Sequence, residues 1–254
     1  MELNFKVLGE GKPMVILHGL LGTLDNWMTL SKQFAALGFK VYLVDQRNHG
    51  KSPHAAEHTY QAMGDDLFDF IEQHFIVDPI ILGHSMGGKT VMRFAQDHPR
   101  VAEKLIIVDI APRFYEPHHQ HILAGLKAID VVSLKNRNEA DEKLTQFVPN
   151  FGERQFLLKN LNRTPEGYSW KCNLPVITEQ INNIGESQYE EGVVVDTKTL
   201  FLRGDQSSYI ESDDISLIQT MFSNVEIMTI ANAGHWVHAE QPKEFYEIVK
   251  GFIA

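Results

Sequence analysis

Six short apolar runs, each closed off by Gly, Pro or polar residues, govern what this chain can fold into. They lie at residues 14–17, 41–44, 80–82, 105–108, 199–202 and 225–230. Most are β-branched and near-continuous rather than alternating, the pattern of strands covered on both faces of a parallel sheet. Helix-length stretches fall between them. One covers 26–37, opened by Asp25 or Asn26 and stopped by Gly38; others cover 60–75, 86–96 and 242–253. Strands alternating with helices point to an α/β fold, a mostly parallel sheet flanked by helices and joined by right-handed crossovers. The 254 residues are enough for one such unit with its own core.

The alternation breaks once. Between residues 112 and 192 the chain turns polar and irregular, and its best-patterned pieces are helical: 121–129, 138–146, 153–160 and 175–184. A structureless loop of that length would be unusual in a compact domain. The segment therefore reads as a mostly helical cap, 112–192, inserted in a core made of 1–111 and 193–254. It is expected over the C-terminal edge of the sheet, where open α/β folds place their sites. No strand is expected within it. Its aromatic residues Phe114, Tyr115, Phe151, Phe156, Tyr168 and Trp170 are candidates either for pocket walls or for cap core.

Charge and cysteine content narrow the function classes. A net charge of −10 argues against nucleic acid or an anionic membrane surface as partner, since both call for a basic footprint. The single cysteine, Cys172, excludes an intrachain disulfide and a Cys-x-x-Cys metal or redox motif. No apolar run approaches the ~20 residues that span a bilayer. The N-terminal segment has no basic start followed by an apolar stretch, which reads as a soluble cytoplasmic chain without a secretory signal.

Gly83-His84-Ser85-Met86-Gly87 matches G-x-S-x-G, a pattern that chance supplies about 0.1 times in a chain this long. Its context strengthens it, because a strand runs in and a helix runs out, as a nucleophile elbow requires. The alternative is a Gly-rich turn for a phosphate, against which neither phosphate-binding glycine fingerprint is present. His18-Gly19-Leu20-Leu21-Gly22 follows the strand at 14–17. Unless it is a plain glycine turn, it supplies one backbone donor of an oxyanion hole, Leu20, while Met86 supplies the other.

A serine hydroxyl needs a base, and position selects among twelve histidines. His235, after the last strand and before the C-terminal helix, stands where a base belongs in the chain order Ser, acid, His. His18 and His84 lie in motif turns and are expected to shape loops. His118, His119 and His121 lack a cysteine or other evident co-ligand, so no metal is expected. For the acid, Asp109 ends one strand and Asp205 follows another. Asp45 opens Asp45-Gln-Arg-Asn-His-Gly50 on the far side of the elbow strand and reads as structural. Cys172 reads as an ordinary packed residue. An unperturbed histidine titrates near ~6.5, and a carboxylate partner is expected to raise His235 above that.

These residues resemble the α/β-hydrolase superfamily and, within it, YbfF-type bacterial esterases and their mitochondrial relatives. The resemblance rests on His18-Gly-Leu-Leu-Gly-Thr-Leu-Asp-Asn-Trp27, Asp45-Gln-Arg-Asn-His-Gly-Lys-Ser52 and Gly83-His-Ser-Met-Gly-Gly-Lys-Thr90. Val108-Asp-Ile-Ala-Pro112 and Ala233-Gly-His-Trp-Val-His-Ala-Glu-Gln-Pro242 complete it. These segments are spread over nearly the whole chain outside the cap. The elbow and final His occur across the superfamily, whereas Arg-Asn-His-Gly, the Lys after the elbow and Val-Asp-Ile-Ala-Pro point to the narrower group.

The resemblance implies an α/β-hydrolase fold and hydrolysis of small acyl esters or acyl-CoA thioesters, with no cofactor. One departure bears on the acid. Many superfamily members carry it three residues after the Gly that ends the penultimate strand. Here that Gly is Gly204 and the third residue on is Ser207. Asp109 is then the expected acid, with Ser207 bridging toward His235 and Asp205 turned away. Trp236, Phe114 and Tyr115 are the expected substrate contacts.

The leading expectation is a serine esterase or thioesterase working through Ser85, His235 and Asp109. A C–C bond hydrolase or an elimination enzyme on the same fold is an alternative, and so, less favoured, is a ligand receptor without turnover. The acyl group, the leaving group and the oligomeric state are left open by the sequence.

Overall fold

Each of the six runs becomes a strand, and in all but the edge strand at 225–230, where Glu226 and Met228 are exposed, alternate residues feed opposite cores. In the computed structural model, which describes residues 1–254, Val15, Leu17, Ile81, Leu105, Ile107 and Phe201 point to one face of the sheet. Met14, Ile16, Ile80, Leu82, Ile106, Val108, Leu200 and Leu202 point to the other. Burial on both faces is why the runs are continuous, and each such side chain contributes roughly 1.5–3 kcal/mol by leaving water.

The sheet has seven strands: β1 (Phe5–Leu8), β2 (Lys12–Leu17), β3 (Phe39–Val44), β4 (Ile80–His84), β5 (Lys104–Val108), β8 (Lys198–Gly204) and β9 (Val225–Ile230). Their order is β1-β3-β2-β4-β5-β8-β9. Only β1 is antiparallel to its neighbour. One face is covered by α2 (Tyr60–Gln73), α3 (Met86–Asp97) and α9 (Asp214–Met221). The other is covered by α1 (Met28–Ala36) and α11 (Pro242–Ile253), with the short α10 (Val237–Glu240) leading into α11.

The chain winds outward from β2 to β3, then crosses back to β4. The order therefore reverses between β2 and β4, and the loops leaving these two strands face one crevice, the usual place for a site in an open α/β sheet.

Between β5 and β8 the chain builds the cap: α4 (Gln120–Ala128), α5 (Arg137–Leu144), α6 (Phe151–Leu157), α7 (Leu174–Glu179) and α8 (Ile181–Gly185). Their apolar faces make a separate core around Leu126, Leu144, Leu158 and Ile177, which also takes in Leu21 from the loop after β2. Backbone contacts moor the cap to the core, with Asn173 N–H donating to Asn48 O at 2.8 Å.

The cap departs from the expectation of helices alone. Strands β6 (Leu161–Thr164) and β7 (Gly167–Trp170) form an antiparallel hairpin closed at Pro165-Glu166, with Gly167 at φ +140°. Four-residue strands are too short for a clear alternation, though the Pro-Glu-Gly turn marks them. The helix expected at 26–37 is instead a 3-10 turn, Leu24–Trp27, followed by α1. Thr23 N–H donates to Asn26 Oδ1 there, and Trp27 is buried, which fixes the tighter turn.

Candidate active site

The elbow after β4 is as sharp as its glycines allow. Ser85 sits at φ 53°, ψ −117°, a region that costs a non-glycine residue strain. The neighbouring backbone closes in around it. A Cβ on Gly83 would meet Gly87 O at 2.2 Å, and one on Gly87 would meet the carbonyls of Leu17 and His18 at 2.7 Å. Ser85 thus stands at the head of α3, with Met86 as the first helical residue and its N–H free of any intrahelical partner.

The loop after β2 presents a second free donor. His18 takes one tautomer, Nδ1–H donating to Gly19 O at 2.8 Å and Nε2 accepting from Gln46 N–H at 3.0 Å. Gly19 O belongs to the same peptide as Leu20 N–H, so this bond fixes the plane of that amide. His49 Nε2 accepts from Leu21 N–H at 3.1 Å. Leu20 N–H has no partner, and Leu20, Ser85 and Met86 line one cavity.

Ser85 Oγ lies 3.0 Å from His235 Nε2, and His235 Nδ1 lies 2.8 Å from Asp109 Oδ2. Register places Asp109 there. Val108 pairs with His84 on one side and Leu202 on the other, so the residue after β5 emerges beside the elbow. Asp109 is fully buried at φ 50°. Ser207 Oγ–H donates to Asp109 Oδ2, and Gly204 N–H donates to Oδ1 at 3.2 Å.

Burial pushes the Asp109 carboxyl up from its ordinary value, while the bonds from Ser207 and Gly204 pull it back. Burial also holds the His235 imidazole below the ordinary histidine value, with His118 adding to the effect. The imidazole thus lies below its ordinary value rather than above it as expected, with desolvation of the ring the leading cause and Glu240 pulling it back.

Tyr209 stacks on the His235 ring, with centroids 3.8 Å apart and planes 18° apart. His118 Nδ1–H donates to Glu116 O at 3.1 Å, which leaves Nε2 to accept from the Tyr209 hydroxyl at 2.7 Å. Sequence reasoning missed Tyr209. Its only signal is that it lies two residues after Ser207, and nothing in the spacing shows the stack. His84 Nε2–H donates to the backbone carbonyl of His235 at 2.9 Å.

Two cavities meet at Ser85. One, of about 380 Å³, is walled by Leu20, Tyr60, Met86, Ile110, Tyr115 and Ile184. The other, of about 710 Å³, lies toward His235 and includes His119, Glu153, Phe156 and Trp236. Tyr115, Phe156 and Trp236 therefore face open space next to Ser85. Phe114 does not, contrary to expectation. Tyr115 turns inward, its hydroxyl accepting from Ala111 N–H at 2.8 Å, and this sends the preceding side chain out to solvent. Phe151 is likewise exposed, while Tyr168 and Trp170 pack on the cap core.

The remaining candidates are engaged elsewhere. Asp45 accepts from Leu24 N–H at 2.8 Å, Lys51 N–H at 2.9 Å and Asn4 Nδ2 at 2.7 Å, holding its turn. Asp205 Oδ1 accepts from Ala233 N–H at 3.2 Å and makes no bond to His235. Cys172 is buried in the cap, its thiol pushed up to about 12 by burial, which leaves no thiolate for chemistry. No helix is long and apolar enough to cross a membrane.

A nucleophile elbow at the reversal of a mostly parallel sheet, with a histidine after the last strand, defines an α/β hydrolase. The family model described as the alpha/beta hydrolase fold matches residues 12–242, and the chain belongs to that family. It is 33% identical over 245 residues to Esterase YbfF of Escherichia coli, covering 96% of this chain and 94% of that protein. It is 37% identical over 248 residues to the mouse protein named sn-1-specific diacylglycerol lipase ABHD11, covering 95% of this chain and 80% of the relative. A solved structure described as a marine microorganism esterase superposes with a TM-score of 0.96 at 43% identity, over 99% of both chains. E-2-(Acetamidomethylene)succinate hydrolase, at 17% identity and a TM-score of 0.80, shares the fold. The chain is a carboxylesterase of the bacterial esterase group that includes Esterase YbfF.

Proposed function

We propose that the enzyme cleaves esters and acyl-CoA thioesters of small acyl groups through an acyl-enzyme on Ser85. His235 takes the Ser85 proton and passes it to the leaving group, while Asp109 holds the imidazole with Nε2 toward the serine. Ser207 fixes the carboxylate by its hydroxyl. The oxyanion of each tetrahedral intermediate is received by Leu20 N–H and Met86 N–H, which need no reorganisation to receive it. Water then attacks the acyl-enzyme with His235 again as base, releasing the acid.

The observation that carries this reading is the continuous chain Ser85 Oγ, His235 Nε2, His235 Nδ1, Asp109 Oδ2, with both links at hydrogen-bond distance. The division of space supports a small acyl group. The donor-lined cavity is the smaller and is mostly apolar, which suits an acyl chain. The cavity on the His235 side is larger, and Phe156 and Trp236 also border an outer groove of about 990 Å³, which suits a bulky leaving group.

The test is a series of p-nitrophenyl esters and acyl-CoA thioesters of increasing chain length, run on wild type and Ser85→Ala, with fluorophosphonate labelling and mass spectrometry. Wild type is expected to turn over short chains and to be labelled once, at Ser85. Ser85→Ala is expected to fold and to lose both properties. More than a small residual activity in that variant would remove Ser85 as nucleophile. Turnover of esters alone would remove the thioester part.

A further inference from the structure

Lys89 lies four residues after Ser85 in α3 and is completely buried, yet the proposed mechanism does not use it. Its ammonium has three donors and finds three backbone carbonyls: Arg113 O at 3.0 Å, Gly185 O at 3.1 Å and Glu186 O. Arg113 is where the chain leaves the core for the cap. Gly185 and Glu186 end α8, where the chain starts back. The rings of Tyr115 and Tyr60 flank the ammonium at 4.7 and 5.7 Å.

The two crossings are also stitched to each other, since Tyr115 N–H donates to Gly185 O at 2.8 Å and Gln188 N–H to Pro112 O at 2.7 Å. The contact is tight enough that a Cβ on Gly185 would lie 2.2 Å from Tyr115 O. Lys89 nails this knot to the elbow helix. Its own N–H donates to Ser85 O at 3.1 Å, so one residue grips the nucleophile's peptide and the cap together.

We infer that Lys89 is a specificity-determining positioning residue, which sets the depth of the acyl cavity by pinning both cap crossings to the nucleophile helix. This rests on the proposed acyl-enzyme reading. The pinned segment is the wall itself, for Tyr115, Ile184 and Gly185 border the smaller cavity, and the Tyr60 hydroxyl holds Ile184 O at 2.8 Å from the core side. Burial, with Arg113 nearby, pushes the Lys89 amine down to about 7.

Methionine matches the reach of lysine and donates nothing, so Lys89→Met frees the knot without opening a large void. Tyr60→Phe, a milder change, removes the second anchor of the same wall and serves if Lys89→Met does not fold. Two measurements are made on each purified variant: hydrogen–deuterium exchange of residues 112–117 and 183–190, and kcat and KM across the p-nitrophenyl ester series.

Exchange at both crossings is expected to speed up by at least ~10-fold in Lys89→Met, the scale of a lost hydrogen bond to a charged donor. KM for acetate is expected to rise, and the preference for hexanoate over acetate in kcat/KM to grow ~10-fold, about what one extra methylene of room is worth. Tyr60→Phe is expected to shift both readouts in the same direction by less. Unchanged exchange in a folded Lys89→Met would overturn the anchoring. Faster exchange with an unaltered chain-length profile would overturn the role in specificity. A wild type inactive on every ester would fault the functional reading instead, and the exchange experiment would still decide the anchoring.

Discussion

Asp109 receives three hydrogen bonds in a place where its charge has no solvent to rely on. Two of them, from His235 and Ser207, converge on a single oxygen, Oδ2. Replacing the carboxylate by an amide disturbs the tautomer the imidazole must hold. Asp109→Asn is therefore expected to cost on the order of 10⁴ in kcat. Ser207→Ala removes one charge-assisted bond and is expected to cost ~10-fold, consistent with the usual worth of such a bond. Asp205→Asn keeps an oxygen for Ala233 N–H and is expected to be nearly silent. Steady-state kinetics on one chromogenic ester checks the ranking, and a crippling Asp205→Asn with a mild Asp109→Asn would reverse the assignment. The pH profile follows from the same burial. Since the imidazole is held below its ordinary value, it stays a free base down to lower pH, and the acid limb of kcat/KM is expected below pH 6.5. An acid limb above 7 would contradict this. That Ser85 and His235 come together was legible in the sequence, because the elbow motif and the chain order both point to it. Tyr209 was not, because a ring stack depends on where the loop after β8 passes.

At the scale of elements, five of the six strands were readable because burial on both faces writes an unbroken apolar run, while β9 is an edge strand with exposed Glu226, Met228 and Thr229 and shows only a broken one. The antiparallel β1 was not readable, since it is an edge strand with exposed Lys6 and Val7 in its middle. α9 was hidden by its polar flanks, and the region read as a single helix at 175–184 is two short ones meeting at Gln180. The elbow shows how tightly an element can constrain one residue. Gly87 faces two carbonyl oxygens at 2.7 Å, and backbone cannot step aside as a flexible side chain can. Gly87→Ala is expected to destabilise the protein by roughly 1–3 kcal/mol and to shift Met86 N–H out of line, lowering kcat as well. Gly251, exposed in α11 with nothing within 4 Å of an added Cβ, is the matched control. Gly251→Ala is expected to stabilise by up to about 1 kcal/mol through helix propensity. Urea midpoints for the two variants, moving in opposite directions, are the check. A neutral Gly87→Ala would mean that the elbow has slack the close contacts deny.

Across the whole molecule, histidine burial is the largest electrostatic fact. His18, His49, His58, His84, His119, His235 and His238 are all held below the ordinary histidine value, in every case chiefly by desolvation. Several are locked as neutral rings by bonds that need an acceptor nitrogen, as in His18 Nε2 facing Gln46 N–H and His49 Nε2 facing Leu21 N–H. The unfolded chain protonates its histidines near pH ~6.5, while the folded chain resists until the pH is well below that. Between those limits the unfolded state binds more protons, so stability is fully present above about pH 6.5 and is lost as the pH falls. Each such histidine contributes roughly 1.4 kcal/mol per pH unit inside its window. Asp109, raised by burial, acts in the opposite sense over part of the same range but is a single group against seven. The urea midpoint is therefore expected to be nearly level from pH 7 to 8 and to drop steeply between pH 6 and pH 4. Substituting His58, whose Nε2 is buried without a partner, should soften the drop without touching the proposed triad. Its own value is pushed down to about 4, so His58→Gln is expected to flatten the slope by about one proton's worth. A midpoint that held level down to pH 4.5 in the wild type would show that these rings are protonated in the native state and that their burial does not govern acid stability.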